Sequence, residues 1–379
     1  MKRRDYLRTV GVGVAGVAAA GCLQVENTGD GDATTSATGT ESGTATRSGT
    51  TTKTTSADAG PLRVATYDSF FGDDGTAGQW LKDAWEADHD TTVEFTAPSN
   101  GVNEFVERKR EGAAIDADLF VGINTGELVR VDDALADTAL FDELAGEVAG
   151  SDTIKDDLRI DPEDRALPYD TGYISLVYDS TTVDEPQTFE ALTSDEYEGA
   201  LLAQNAQSSD PGRAFLLWTI HEYGPENYLD YWERLVGNDV RVLDDWQPSY
   251  DAFLNGERPM VVSYSTDQVY YNGEDQLPRH QVGFLNDQGY ANPEAVARFA
   301  DADNPDLAAE FVEFMLTDEA QRNVAVNNVQ FPATTTAELP EEYGQYAYEP
   351  PEPVTFTYDE LAGNVDAWTE AWARQVATN

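Results

Sequence analysis

Trp246, Tyr250, Tyr264, Tyr270 and Tyr271 crowd one stretch of the chain, DDWQPSYDAFLNGERPMVVSYSTDQVYY over residues 244–271. Aromatic faces gathered beside carboxylates suit a flat organic cation, held by stacking and cation–π attraction. The flanking pattern says how these rings are positioned. Residues 248–254 read as a short helix, and residues 259–264 are apolar and β-branched enough for an interior strand. Polar SYSTDQ follows, and open α/β sheets hold ligands at the carboxyl ends of strands, so Ser263, Tyr264, Ser265, Thr266 and Asp267 fall at a binding edge. A second candidate is SSDPG at residues 208–212. Ser209 or Asp210 would cap the helix predicted over 213–223, with Pro211 at its first position. The amides of such a helix start favour an anion, so Ser208, Ser209 and Gly212 could hold a phosphate or carboxylate.

Composition narrows the chemistry. The 379 residues are 40% hydrophobic and 11% aromatic, enough for a large core. Net charge is -48, from 71 acidic residues against 23 basic ones, and the acid is spread along the whole chain. Such self-repulsion fades in molar salt, where the screening length falls to about 3 Å, so the balance reads as adaptation to high salt. No basic stripe exists to neutralise phosphates, which argues against nucleic acid. A single cysteine, Cys22, leaves no disulfide framework and no cysteine metal site. His89, His221 and His280 are scattered, and GxSxG, HExxH and a glycine-rich phosphate loop are absent. Carboxylate pairs arise from so acidic a composition without catalysis, so a secreted hydrolase is the distant alternative to a binding protein.

The remaining chain supplies organisation. MKRRDYLRTVGVGVAGVAAAGC carries Arg3 and Arg4, a short apolar run over 10–20, and Ala-Ala-Gly before Cys22. It looks like a twin-arginine export signal over 1–22 with Cys22 as the lipidated residue, the apolar run being short for a spanning helix of about 20 residues. Export and lipid anchoring on the outer face of the cell membrane follow. Residues 23–60 are a Thr/Ser/Gly-rich tract expected to be a flexible stalk spanning roughly 30 to 35 Å. Strands over 62–66, 91–96 and 117–122 alternate with helices over 76–88, 102–111 and 125–134, the signature of a parallel α/β layer. Extended segments over 166–178 hinge at Thr171 and Gly172. A helix near 188–194 and a strand over 200–204 restart the pattern, strands return over 281–285 and 295–299, and helices begin at Pro305 and span 358–377. The expected architecture is α/β with two lobes: lobe 1 over 61–167 with 267–350 returning to it, lobe 2 over 168–266, and a C-terminal helix over 355–379 packing near both. Crossovers near 168–172 and 263–267 would leave a cleft between the lobes.

The ordered motifs TYDSF (66–70), NGV (100–102), PYDTGY (168–173), SDPG (209–212), FLLW (215–218), DWQPSYDAFLNGE (245–257) and VVSYST (261–266), with Tyr270, resemble the extracytoplasmic thiamine-binding proteins of ABC importers. The resemblance spans nearly all of the chain from Arg63 onward. It implies a two-lobed periplasmic-binding-protein fold of type II with the ligand in the interlobe cleft. It also implies a monomer that needs no cofactor, captures thiamine or a thiamine phosphate by lobe closure, and delivers it to a membrane permease. The family's contact positions match at Tyr67, Ser209, Trp246, Tyr264 and Tyr270. Three positions depart: Asp74 and Val329 stand where the family has tryptophan, and Asn100 where it has aspartate. On this reading Tyr67, Trp246, Tyr264 and Tyr270 enclose the rings, Asp68, Asp74 or Asp170 faces the cation, and Ser208, Ser209 and Gly212 receive the polar tail. The alternative within the same fold is a ferric-iron-binding protein using Tyr270 and Tyr271, because paired phenolates are hard ligands.

Overall fold

In the computed structural model the described residues are 60–72, 75–136 and 138–377. The signal, Cys22, the stalk and Asp74 lie outside them. The strands, in chain order, are β1 (Leu62–Ala65), β2 (Val93–Thr96), β3 (Leu119–Ile123), β4 (Ala166–Tyr178), β5 (Leu201–Gln204), β6 (Arg241–Leu243), β7 (Met260–Tyr264), β8 (Gln281–Gly283), β9 (Gln288–Arg298), β10 (Phe331–Pro332) and β11 (Glu352–Val354). The main helices are α1 (Asp68–Phe71), α2 (Ala77–Asp88), α3 (Asn103–Glu111), α4 (Thr125–Leu135), α5 (Asp210–Tyr223), α6 (Tyr228–Gly237), α7 (Trp246–Leu254), α8 (Pro305–Met315), α9 (Asp318–Asn328) and α10 (Val365–Ala377). None of the described helices is long and apolar enough to cross a membrane.

All strands join one 11-stranded sheet ordered β2-β1-β3-β9-β4-β7-β5-β6. The outer groups are parallel, β1 with β2 and β3, and β5 with β6 and β7. Between them β9 and β4 run antiparallel to each other and to their outer neighbours. The two parallel layers expected from the α/β alternation are therefore present, welded by long antiparallel crossing strands. The first crossing falls where PYDTGY placed it, as a single continuous strand. The return expected near 263–267 does not: β7 ends at Tyr264, and β9 carries the chain back. Its QGYANPEAVAR lacks the unbroken apolar run that marks a buried strand, which hid its length.

Packing follows these layers. Leu62, Val64, Leu119 and Val121 face Trp85, Phe311 and Met315, whereas Ala65, Phe120 and Ile123 face Phe105, Leu128 and Phe299. Strand alternation puts neighbours on opposite faces, and a register shift between Val121 and Ile123, at Gly122, turns Ile123 to the second face. The other lobe gathers Phe189, Phe215, Trp218, Tyr231, Trp232 and Trp372. Helix α5 is buried on nearly all sides, so its apolar run FLLW is not confined to one stripe. Two expected helices differ. The segment near 188–194 forms 3-10 turns at Ala191–Thr193 and Asp195–Tyr197, and 358–377 breaks at Gly363, whose φ of 70° ends the turn Tyr358–Leu361 before α10 begins.

Gly122 ties the fold to Tyr67. Its φ is 102°, and a Cβ there would stand 2.6 Å and 2.7 Å from two Tyr67 ring carbons. Gly122→Ala is expected to destabilise the protein by about 1–3 kcal/mol, through left-handed backbone strain and displacement of Tyr67. Chemical denaturation in molar salt measures this; an unchanged midpoint would mean that the end of β3 relaxes without cost.

Candidate functional site

The cleft is legible in the hydrogen bonding of β4. One edge of this strand pairs with β9 from Ala166 to Ile174. The opposite edge is shared: β10, from one lobe, pairs with Asp170 and Thr171, and β7, from the other, pairs from Ile174 to Tyr178. Between them lie Gly172 and Tyr173. A Cβ on Gly172 would collide with Gln330 Oε1 and stand 2.8 Å from two carbons of the Tyr264 ring. The absent side chain lets a group from the β10 side and a group from the β7 side meet over the crossing strand at Gly172.

On the side of β10 this meeting point rests on buried acid. Tyr67 Oη and Tyr169 Oη both donate to Glu294 Oε2, at 2.6 Å and 2.7 Å. Asn328 Nδ2 donates to Asp170 Oδ2 at 2.8 Å and to Tyr67 Oη at 3.0 Å. Asp170 and Glu294 are cross-strand partners on β4 and β9. Burial, and then the neighbouring Glu294 charge, hold the Asp170 carboxyl well above the usual carboxylate range. Burial and the same acids push the Tyr67 and Tyr169 phenols well above theirs. Neutral phenols therefore donate into this network, and the ring of Tyr67 is fixed at both its face, against Gly122, and its hydroxyl.

On the side of β7 the aromatic stretch forms a layered support. Trp246, at the start of α7 after its cap Asp245, stacks on Tyr250 with centroids 4.6 Å apart and planes 15° apart. Its Nε1 donates to Ser263 Oγ at 3.1 Å, one residue before Tyr264. Behind the stack, Tyr250 Oη donates to Asp267 Oδ1, and His280 Nδ1 donates to Asp267 Oδ2 at 2.8 Å. Tyr271 stacks flat on His280, 3.9 Å between centroids at 4°. A carboxylate with two donors and two stacked ring pairs thus hold Trp246 against the end of β7.

The turn from β5 into α5 closes a third side. Ser208 Oγ donates to the Asp244 carbonyl at 2.7 Å, linking it to the turn before Trp246. Ser209 stands at the N-cap position of α5 and is buried, but its Oγ makes no capping bond and has no hydrogen-bond partner among the described residues. Gly212 lets α5 seat on β5, since a Cβ there would lie 2.8 Å from the Gln204 carbonyl. Asp210 accepts from Asn124 Nδ2 at 2.9 Å and from Asn292 Nδ2 at 3.0 Å, joining the starts of α4 and α5 to β9. Nearby, burial and then Asp210 raise the Glu127 carboxyl to about 7, while Arg213 works in the opposite direction.

The expected residues separate into groups. Tyr67 and Asp170 meet through Asn328; Tyr264 meets Gln330 over Gly172; Trp246 joins Tyr264 through Ser263; Ser208, Ser209 and Gly212 share one turn. Val329 sits between Asn328 and Gln330 as the left-handed cap of α9, at φ 61°. Asp68 and Asn100 are exposed, on the first turn of α1 and on the turn after β2. Tyr270 is 38% exposed while Tyr271 is buried against His280, so the pair does not present two equivalent phenols. Among the described residues no cluster of three or more His, Cys, Asp or Glu side chains could hold a metal. Sequence reasoning missed Tyr169, Glu294, Asn328, Gln330 and His280. Glu294 had a signal, a lone acid within β9; His280 had none, because its partner Asp267 belongs to a different turn.

Residues 80–350 match the model of the family described as bacterial extracellular solute-binding protein. The chain is similar to the thiamine-binding periplasmic protein of Escherichia coli (strain K12), 29% identical over 317 residues, covering 83% of this chain and 93% of that protein. Among solved structures it is similar to a periplasmic thiamin binding protein, with TM-score 0.69 and 28% identity over 83% of this chain and 96% of the other. The ferric binding protein from Campylobacter jejuni has TM-score 0.68 at 17% identity, covering 83% of this chain and 99% of that one, a likeness of fold.

Glu127 gives the lobe junction a pH signature. A carboxyl raised from 4.5 to about 7 contributes stability that is fully present below the lower value and lost as pH rises through the upper one. Glu127→Gln keeps the capping hydrogen bonds of α4 and removes the titration. Between about pH 4.5 and 7 the natural protein should therefore lose stability relative to the variant, read as the difference between their unfolding curves in molar salt. Parallel curves over that window would show that Glu127 is not titrating there.

Proposed function

The chain belongs to the bacterial extracellular solute-binding proteins, and on that premise we propose that it captures thiamine, or a thiamine phosphate, and hands it to an ABC permease. The observation that carries this is the cleft floor at Gly172, where Tyr264 from one lobe meets Gln330 from the other, flanked by Trp246 and Tyr67 on braced supports. Braced aromatic rings on two sides of a crossing strand suit the two flat rings of thiamine, and the cationic thiazolium gains from ring faces and from the acid beneath Tyr67. Asp170 is buried under the floor and held toward its neutral form, so Glu294, with two phenol donors, is the nearer source of negative charge. In this reading Tyr270 completes the aromatic wall, Asp68 and Asn100 line the mouth, and Val329 leaves room that a larger ring would fill.

Ser208, Ser209 and Gly212 receive the hydroxyl or phosphate tail, consistent with the unpartnered Ser209 Oγ at the start of α5. Capture requires no bond making, only a ligand that favours the closed over the open arrangement. The lobes divide near the crossings: 61–167 with the returning chain up to about 350 in one, the segment between β4 and β9 with the C-terminal helix in the other. Twin-arginine export, lipid on Cys22, a monomeric state and a cell surface bathed in high salt belong to the same proposal. Net charge -48 supports the last of these.

Calorimetric titration in molar salt, with thiamine, its mono- and diphosphates, and ferric citrate in parallel, tests the assignment. Saturable binding of a thiamine compound at about micromolar affinity or tighter is expected. Trp246→Ala and Tyr264→Ala should each weaken it by about 3- to 30-fold, the worth of a lost stacking or cation–π contact. Unchanged affinity in both variants, or ferric citrate bound in preference, would overturn the reading.

A further inference from the structure

Gln330 is 4% exposed, and its side-chain carbonyl Oε1 has no hydrogen-bond partner among the described residues. Buried acceptors are nearly always paired, and an unpaired one is costly, so this atom calls for an occupant. Its surroundings say where that occupant lies. The Gln330 amide donates to the Ala325 carbonyl at 2.8 Å, and Tyr343 Oη donates to the Gln330 carbonyl at 2.8 Å, so the main chain is pinned on both sides. Val329, in its left-handed cap, turns the chain from α9 into β10 and sets Gln330 opposite Gly172. There Oε1 and the Tyr264 ring occupy the space of the missing Cβ. A flat ring lying against Tyr264 would bring its edge to an acceptor with nothing else to bind.

We propose that Gln330 is a specificity-determining residue whose side-chain carbonyl accepts a hydrogen bond from an exocyclic amine on the aromatic ring held against Tyr264. The inference rests on the thiamine reading, since the aminopyrimidine of thiamine carries such an amine. It goes further in naming the group that is read and the residue that reads it. An analogue with a ring oxo group in place of the amine sets an acceptor against an acceptor. A site built around a buried hydrogen-bonding group rejects such a mismatch more strongly than an apolar pocket rejects a change of size.

The test is titration of the full chain and of Gln330→Met, each with thiamine and with its 4-oxo analogue, in molar salt. The natural chain should prefer thiamine by about tenfold or more, and Gln330→Met should weaken thiamine while leaving the analogue nearly unchanged, bringing the ratio close to one. Gln330→Glu keeps an acceptor and should keep the preference, which serves if the methionine variant does not fold. A methionine variant that retains the preference, or weakens both ligands equally, overturns the inference and leaves the thiamine reading standing; loss of preference in Gln330→Glu does the same. Failure of the natural chain to bind thiamine removes that reading and this inference together.

Discussion

Everything in this molecule depends on the antiparallel pairing of β4 with β9. These strands carry the chain between the lobes, and among the described residues their ladder from Ala166 to Ile174 is the route by which the outer parallel groups share one sheet. Because one edge of β4 is filled by β9, the other must serve both lobes, and the place where β10 stops and β7 begins is left to Gly172 and Tyr173. A cleft at a strand crossing is thus a consequence of edge occupancy. Side chains are then added from either side, Tyr67 and Gln330 from one lobe and Tyr264 and Trp246 from the other.

The acids beneath this floor impose their own logic. Two carboxyls on neighbouring strands cannot both stay charged in a buried setting without donors, and the protein supplies Tyr67 and Tyr169 to Glu294 while Asp170, which accepts from Asn328, is driven toward its neutral form. The second lobe answers the same problem differently, with Asp267 held between Tyr250 and His280. In both cases the buried acid holds an aromatic ring in place through its hydroxyl. The surface acid of the chain plays no part in this, because it is dispersed and solvated.

How much of this could be read from the chain depends on the range of the interaction. Strand and helix periods placed β1 to β3, β5, β7 and helices α2 to α5 and α7, and PYDTGY marked the first crossing, since local pattern and turn chemistry decide those elements. The second crossing was misplaced at 263–267 because β9, with Asn292, Pro293 and Glu294 in its middle, lacks the apolar run of an interior strand. Trp246, Tyr264 and the turn at Ser209 were visible as clustered rings and a capped helix. Glu294, Asn328 and Gln330 were not, because their roles are set by partners more than a hundred residues away, at Tyr67, Tyr169, Asp170 and Gly172. His280 stayed hidden for a related reason: its partner lies across a turn, with no spacing that would betray a pair.

The measurement that bears most directly on this account is a crystal structure of the protein grown with thiamine in molar salt. The account requires ligand density over Gly172, with one ring against Tyr264 beside Gln330 and the other within reach of Tyr67 and Trp246. Density centred instead on the exposed Tyr270, or confined to the surface away from the crossing of β4 and β9, would contradict it.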